Sequence, residues 1–421
     1  MNLPDLAAVI FVLTYAGIAL GGVPGLAIDR TGIALLGAIS MVASGALLPR
    51  EAAGDIDFPT ILLLYSLMVV SAQFRLGGFY TRAATGINRY IKRPGVFLGA
   101  LMLVSALLSA LLANDIVCLA FTPVLCVSLL EAGLDPVPFL LGLACASNIG
   151  SAATIIGNPQ NMLIGQVARL GFGPFLLWCG PPSALSLAAC YGVILFLYKD
   201  KWRKNKVSPE QPPGKKQADP LTDKMAWPPY DRRQTGKGLL VTAALIAMFF
   251  TPVPRELSAI IAAGVLLASR KINTRSILGL VDWHLITLFC SLFIVVGGIA
   301  RYGLPGHAVA WFEGRGMDIN HHIYALSAIT VVLSNIVSNV PAVMLLLKNM
   351  DLGITKNLYV LAVSSTYAGN LLIVGSIANL ITVEQARGFG IKIGFWEHAR
   401  VGIPVTLLSM LIAFAWMALP G

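Results

Sequence analysis

DFPTILLLYSL at positions 57–67 recurs as DWHLITLFCSL at 282–292, an offset of 225 residues. The offset holds outward in both directions. Arg30 falls on Arg255, with RTGIALLGA on RELSAIIAA, while Gly78 falls on Gly303 and Asn114 on Asn339. Apolar sequence produces aliphatic coincidences by chance, but not aligned Asp, Ser, Arg, Gly and Asn. Further along, the offset drops to 218–219, where SNIGSAATIIGNPQNML (147–163) faces TYAGNLLIVGSIANLI (366–381). That alignment pairs Gly150 with Gly369, Gly157 with Gly375 and Asn161 with Asn379. The chain reads as an internal duplication.

Composition places the duplication in a bilayer. Of 421 residues, 57% are hydrophobic and 12% charged, against about 45–50% and about 25% in ordinary soluble domains. Apolar stretches near the length of a spanning helix, about 20 residues, recur throughout, as at 6–27 and 401–419. The first of these has no preceding basic residue and no small-x-small cleavage site, so it reads as a retained helix rather than a signal peptide. Cys118, Cys126, Cys145, Cys179, Cys190 and Cys290 lie in or beside apolar spans without a CxxC pattern. They fit small core residues, not a disulfide or zinc framework. The net charge of +10 sits in loops between spans. Basic loops facing anionic lipid explain it, and nucleic acid is not an expected partner.

The expected fold is all-α and polytopic, with two inverted-topology repeats of about five transmembrane helices each, every repeat holding a re-entrant helical hairpin and a broken helix. Residues 1–198 form the first repeat and 238–421 the second. Between them, 199–237 carries eleven Lys/Arg, five Asp/Glu and several prolines, the composition of a solvated linker. In the first half, helices are expected over 6–27, 31–49 and 58–75. A short amphipathic piece, 79–93, follows at the interface, then 95–132, a helix over 137–168 that is broken midway, and a helix over 174–197. Segment 95–132 admits two readings: two complete spans, or a hairpin entering and leaving on one side. Either count leaves an odd number of passes per half, which turns the second half upside down. The second-half hairpin is expected over 322–348 and its broken helix over 357–383. With the linker in the cytoplasm, Arg82, Arg89, Lys92, Arg93, Arg270, Lys271 and Arg275 also fall inside, and Glu51, Asp55 and Asp57 outside. That follows the positive-inside tendency and puts both termini on the outer side of the inner (plasma) membrane.

Inverted repeats place substrate sites near mid-membrane at interrupted helices, where free backbone survives only if protein or a cavity supplies partners. The sequence offers two symmetric pairs of interruptions. LLANDIV (111–117) and IVSNVPAV (336–343) are hairpin tips, with Pro341 suited to a first helical turn. The segments around Gly157 and Gly375 are unwound helix midpoints. Asn114 and Asn339 can both donate and accept, which suits a hydroxylated or oxyanion substrate and suits capping of free hairpin amides equally. Asp115 is costly at such depth, and intramembrane carboxylates are as a rule functional. Loss of water favours its protonated form, so it is the expected proton carrier. A permanent ion pair would need a cation, and the flanking spans hold none. Ser147, Asn148, Ser151, Thr154, Asn158, Gln160 and Asn161 put seven uncharged polar groups within fifteen residues, more than interhelical packing requires. The second half is poorer, with Thr366, Tyr367, Asn370, Ser376 and Asn379. The expected substrate-binding set is Asn114, Asn148, Ser151, Thr154, Asn158, Asn161, Asn339, Asn370 and Asn379, with Asp115 coupling protons. The histidines His284, His307, His321, His322 and His398 fall at span ends or loops, pointing to solvated or interfacial roles. No metal site, cofactor or enzymatic activity is expected, and no Walker lysine motif occurs.

At LLANDIVCLAFTPVL (111–125) and SNIVSNVPAVMLL (334–346) the chain resembles the ion transporter superfamily that includes arsenite efflux permeases (the ArsB family), NhaD-type sodium/proton antiporters and dicarboxylate carriers. The resemblance covers nearly the whole chain. It implies two inverted repeats, re-entrant hairpins and proton-driven export of arsenite or antimonite, with Asn114, Asp115, Asn339 and the two unwound helices at the substrate region. SNIGSAATIIGNPQN is closer to the anion-transporter branch, which keeps a small organic or inorganic anion, carried with protons or sodium, as the alternative. Dicarboxylate carriers show Ser-Asn-Thr at both tips. Here the tips read Ala-Asn-Asp and Ser-Asn-Val, against a sodium–dicarboxylate mechanism. Arsenite near neutral pH is uncharged As(OH)3, so amides and hydroxyls suffice for it. Thiol bonds from Cys118 or Cys145 would hold a substrate that must leave. A cytoplasmic ATPase partner is compatible with the chain, and a passive channel is the third reading, against which the broken-helix symmetry argues.

Overall fold

A computed structural model describes residues 2–22, 25–204, 228–303 and 320–419. Within them the molecule is helical, and the two halves run through the same elements in the same order. In the first half these are α1 (Leu3–Leu20), α2 (Arg30–Ala43), α3 (Pro49–Asp55), α4 (Phe58–Leu76), α5 (Phe79–Ile87), α6 (Pro94–Leu111), α7 (Asn114–Glu131), α8 (Val137–Ser151), α9 (Pro159–Val167) and α10 (Phe172–Lys204). In the second half they are α11 (Arg232–Phe249), α12 (Arg255–Leu267), α13 (Thr274–Leu278), α14 (Trp283–Ala300), α15 (Ile323–Val337), α16 (Asn339–Leu347), α17 (Thr355–Ala368), α18 (Ile377–Gly388) and α19 (Phe395–Met417). Thus α1–α4 correspond to α11–α14 and α6–α10 to α15–α19. The counterpart of α5 would fall on 304–319, which lies outside the described residues, as does 205–227 of the linker. The linker is shorter than expected: 199–204 continue α10, and 232–237 already belong to α11.

The repeated aspartates owe their recurrence to capping. Asp57 Oδ1 accepts from Thr60 N at 2.8 Å, and Asp282 Oδ1 from Leu285 N at 2.9 Å. Each satisfies an orphan amide where a long apolar helix begins, the preferred use of Asp at that position. Among the described residues, seven helices are long and apolar enough to cross a bilayer: α1, α4, α6, α7, α10, α14 and α19. In the second hairpin, α15 has fifteen residues and α16 nine. At about 1.5 Å per residue α16 reaches roughly 14 Å, well short of the ~30 Å hydrocarbon core.

The halves interlock through exchanged partners. α2 packs on α14 and its equivalent α12 packs on α4, so each half completes the other's helix layer. A second unit gathers the interrupted elements: α7 lies on α18, α16 on α9, and α10 on α19. The hairpin tips and the two breaks meet inside this second unit.

Candidate functional site

Asn148, on α8 one turn before the break, is the hub of the site. Its Oδ1 accepts from Asn114 Nδ2 at 3.2 Å and from Ser376 Oγ at 2.9 Å. Its Nδ2 donates to Asn370 Oδ1 at 2.9 Å and Asn379 Oδ1 at 3.1 Å. One side chain therefore joins the first hairpin tip, the first broken helix and the second break. Every group in this cluster is buried and none is charged.

The breaks are built by paired rules 218 residues apart. Asn158 caps α9, accepting from Asn161 N at 2.9 Å, and Ser376 caps α18, accepting from Ala378 N at 3.2 Å. Asn161 Nδ2 donates to Ser151 O (3.3 Å) and Thr154 O (3.0 Å), and Asn379 Nδ2 donates to Gly369 O (2.7 Å) and Leu372 O (3.2 Å). These two asparagines tie down carbonyls that the unwound helix would leave unpaired, a need that buried backbone imposes. The caps also cross between halves. Asn158 Nδ2 reaches Thr366 Oγ1 at 3.2 Å, mirroring Ser376 with Asn148. Gly157 lets the first break fold back on itself, since a Cβ there would lie 2.2 Å from Ser151 O.

Each tip rests against a break. Asn114 N donates to Gly157 O at 3.3 Å, placing the first tip level with the interruption of α8 and α9. Asn339, its amide nitrogen turned to the carbonyls it faces, donates to Gly375 O (3.1 Å) and Ser365 O (3.0 Å). The neighbouring Ser338 holds φ 75°, a left-handed backbone that a non-glycine residue adopts at a cost. Asn335, which sequence reasoning passed over, donates to Ala368 O at 3.1 Å.

Among the expected residues, Asn114, Asn148, Asn370 and Asn379 form one connected cluster. Asn158 and Ser151 form a second, bonded at 2.9 Å and linked to the first by Ser151 Oγ donating to Asn148 O at 2.8 Å. Thr154 bonds Ala110 O in the first hairpin, and Asn339 reaches the cluster only through the second break. Among the described residues, two polar atoms of the central cluster have no partner: Asn114 Oδ1, an acceptor, and Asn370 Nδ2, a donor. Buried atoms of this kind cost free energy unless something binds them.

Asp115 faces away from this cluster into a small cavity, about 70 Å³, between α4, α7 and α14. Its walls include Leu64, Met68, Arg75, Asp282 and Pro159. The spans flanking Asp115 hold no cation, but α4 brings one near. Arg75 lines the same cavity, yet among the described residues neither it nor Asp115 forms an ion pair within 4.0 Å. Long-range packing brought them together, and no spacing signal announced it. His398 also departs from expectation: it is 1% exposed, and its Nε2 donates to Asn370 O at 3.0 Å. Among the described residues no cluster of His, Cys, Asp or Glu could hold a metal ion.

Comparison with known proteins adds four findings. The family model for citrate transporters (CitMHS) matches residues 9–354. The silicon efflux transporter LSI3 of Oryza sativa subsp. japonica is 28% identical over 445 residues, 92% of each chain. A Dictyostelium discoideum protein provisionally named as transporter arsB is 24% identical, over 98% of this chain and 91% of its own. Among solved structures, MtrF of Neisseria gonorrhoeae, described within a class of antimetabolite efflux pumps, superposes with a TM-score of 0.54 at 13% identity, over 99% of this chain and 94% of its own.

Proposed function

The chain belongs to the citrate transporter (CitMHS) family of the ion transporter superfamily and is a multi-pass membrane transporter, and from that premise we propose that it exports a small, uncharged, polyhydroxylated solute, arsenite or antimonite first, in exchange for protons across the inner membrane. The observation that carries this reading is the pair of unpartnered atoms beside Asn148. The two atoms offer one acceptor and one donor, the complement of a hydroxyl group, which can donate to the one and accept from the other. As(OH)3 presents three such hydroxyls and no charge. An anion would have to shed its water among amides with no Lys or Arg in the hydrogen-bonded cluster, which is costly. The silicon efflux relative supports the same chemistry, since silicic acid is also a neutral hydroxylated solute.

Asp115 is the proton site in this reading. A carboxylate with no ion pair, in a small cavity next to the tip that holds Asn114, can load and unload a proton as access alternates. Two inverted repeats, with hairpins and broken helices meeting at mid-depth, supply the alternation. The short α16 and the level contact of Asn114 with the first break support re-entrant hairpins. A second reading, a proton- or sodium-coupled carrier of a small carboxylate, is favoured by the family's description.

Purified protein in proteoliposomes with an imposed pH gradient separates the two. Arsenite or silicic acid moves against the direction of proton flow, collapses with an ionophore, and falls at least about tenfold in Asp115→Asn, the equivalent of ~1.4 kcal/mol of lost coupling. Citrate or succinate movement driven by sodium, with no arsenite signal and full activity in Asp115→Asn, would falsify the proposal.

A further inference from the structure

Three ionisable side chains line the small cavity that holds Asp115: Asp115 itself, Arg75 from α4, and Asp282, the cap of α14. The remainder of the wall is apolar, from Leu64 and Met68 to Leu119 and Ile381. A guanidinium does not give up its proton in a protein. Among the described residues, Asp282 is therefore the one wall group able to take a proton from Asp115. At about 70 Å³ the cavity has room for about two waters, at ~30 Å³ each.

Asp282 and Leu285 belong to a second wall as well. They line a cavity of about 630 Å³ together with Asp29 and Arg30 at the start of α2, His284 on α14, and Glu384 and Arg387 on α18. Asp29, Asp282, His284, Glu384 and Arg387 are exposed, whereas Leu285 is buried. Arg75 lines only the smaller cavity. Asp282 thus stands between Asp115 and a solvent-facing vestibule. Its Oδ1 accepts from Leu285 N at 2.9 Å, and no protein donor among the described residues takes Oδ2. The second half repeats the small cavity without Asp115. Five wall positions recur at the repeat offsets: Phe293 for Met68, Met344 for Leu119, Asp55 for Leu280, Asp57 for Asp282 and Leu163 for Ile381. Asp57 caps its helix as Asp282 does, but Val340 occupies the position of Asp115.

We propose that Asp282, besides capping α14, is the proton relay between Asp115 and the vestibule beside α18. The Asp115 carboxyl gives its proton, directly or through water in the cavity, to the Asp282 carboxylate, which passes it to water in the vestibule. Loading runs the same steps backwards. A carboxylate serves both ends because capping uses one oxygen and leaves the other for the proton. The inference rests on the reading of Asp115 as the proton site but not on which solute is carried.

Asn caps a helix as well as Asp does but carries no proton, so Asp282→Asn separates the two roles. The full chain in proteoliposomes is driven by an imposed pH gradient, with arsenite, silicic acid and citrate as probes. In Asp282→Asn the maximal rate should fall by about tenfold, less than the ~10²–10⁴ of a positioned proton-transfer group because water in the cavity offers a slower bypass. KM and the melting temperature should hold. Heavy water should slow this variant more than wild type, since proton transfer has become limiting. Asp57→Asn makes the same exchange at the repeat-equivalent cap and should keep the wild-type rate and isotope ratio. If Asp282→Asn does not fold, Asp282→Ser, also a good cap, takes its place. A wild-type rate in Asp282→Asn beside a lost one in Asp115→Asn overturns the relay and leaves Asp115 as the proton site. Equal losses in Asp282→Asn and Asp57→Asn, without the isotope effect, assign the loss to capping and overturn the relay too. Wild-type rates in both Asp282→Asn and Asp115→Asn overturn the relay and the reading of Asp115 together.

Discussion

At the scale of residues, chemically similar asparagines do different work. Asn161 holds two backbone carbonyls of the first break, whereas the Asn114 amide donates to one side chain, Asn148; the side-chain oxygen of each has no partner among the described residues. Removing Asn161 strands those carbonyls in a dry interior, at about 1–3 kcal/mol. Asn161→Ala is therefore expected to lower the melting temperature in detergent and to lose transport at every substrate concentration. Asn114→Ser keeps a short polar side chain at the tip and should leave the melting temperature nearly unchanged while raising KM about tenfold, ~1.4 kcal/mol of binding. Equal destabilisation in both variants would show that Asn114 is a structural tie like Asn161. All ten residues singled out in the sequence are polar at apolar stations, which is why they were legible. Which of them braces the backbone and which stays unpaired was not, because partners 222 and 231 residues apart decide it.

At the scale of elements, the interruptions are specified locally. Asn158-Pro159 opens α9 with a cap and a preset φ, and Gly157 permits the close return of the chain. Gly157→Ala pushes a methyl group into Ser151 O, and the expected outcome is loss of folded protein on size-exclusion chromatography, not a graded loss of rate. Ser338 offers the converse test. Its φ of 75° strains any residue with a Cβ, so Ser338→Gly should stabilise the second hairpin by up to ~1 kcal/mol, read as a higher melting temperature. An unchanged or lower value would show that the conformation is set by hydrogen bonds that Ser itself supplies. The sequence signalled these hairpins through paired Asn and Pro. It also bounded α16, because Lys348-Asn349 follows Leu347 directly and the expected hairpin ends at 348, leaving a second arm half the length of α7.

At the scale of the whole molecule, the halves are joined on one face by Arg301 and Glu51. The Arg301 hydrogen bond, helped by the Leu48 amide, holds the Glu51 carboxyl below its ordinary range. A depressed carboxylate contributes stability above the unfolded value, near pH 4.3, that disappears as pH falls through the folded one. The melting temperature of Arg301→Gln should thus lie slightly below wild type at neutral pH and merge with it in acid. A gap that persists in acid would assign the role of Arg301 to packing. The sequence alone determined the bilayer, the duplication and the two kinds of interruption, because apolar run length, aligned polar residues and capping chemistry are local properties written along the chain. Only the tertiary structure decided that Arg75 shares a cavity with Asp115 and that Asn148 binds four groups from two other segments, the first tip and the second break. Those outcomes depend on how the two halves pack against one another, and two copies of one pattern carry no information about that packing.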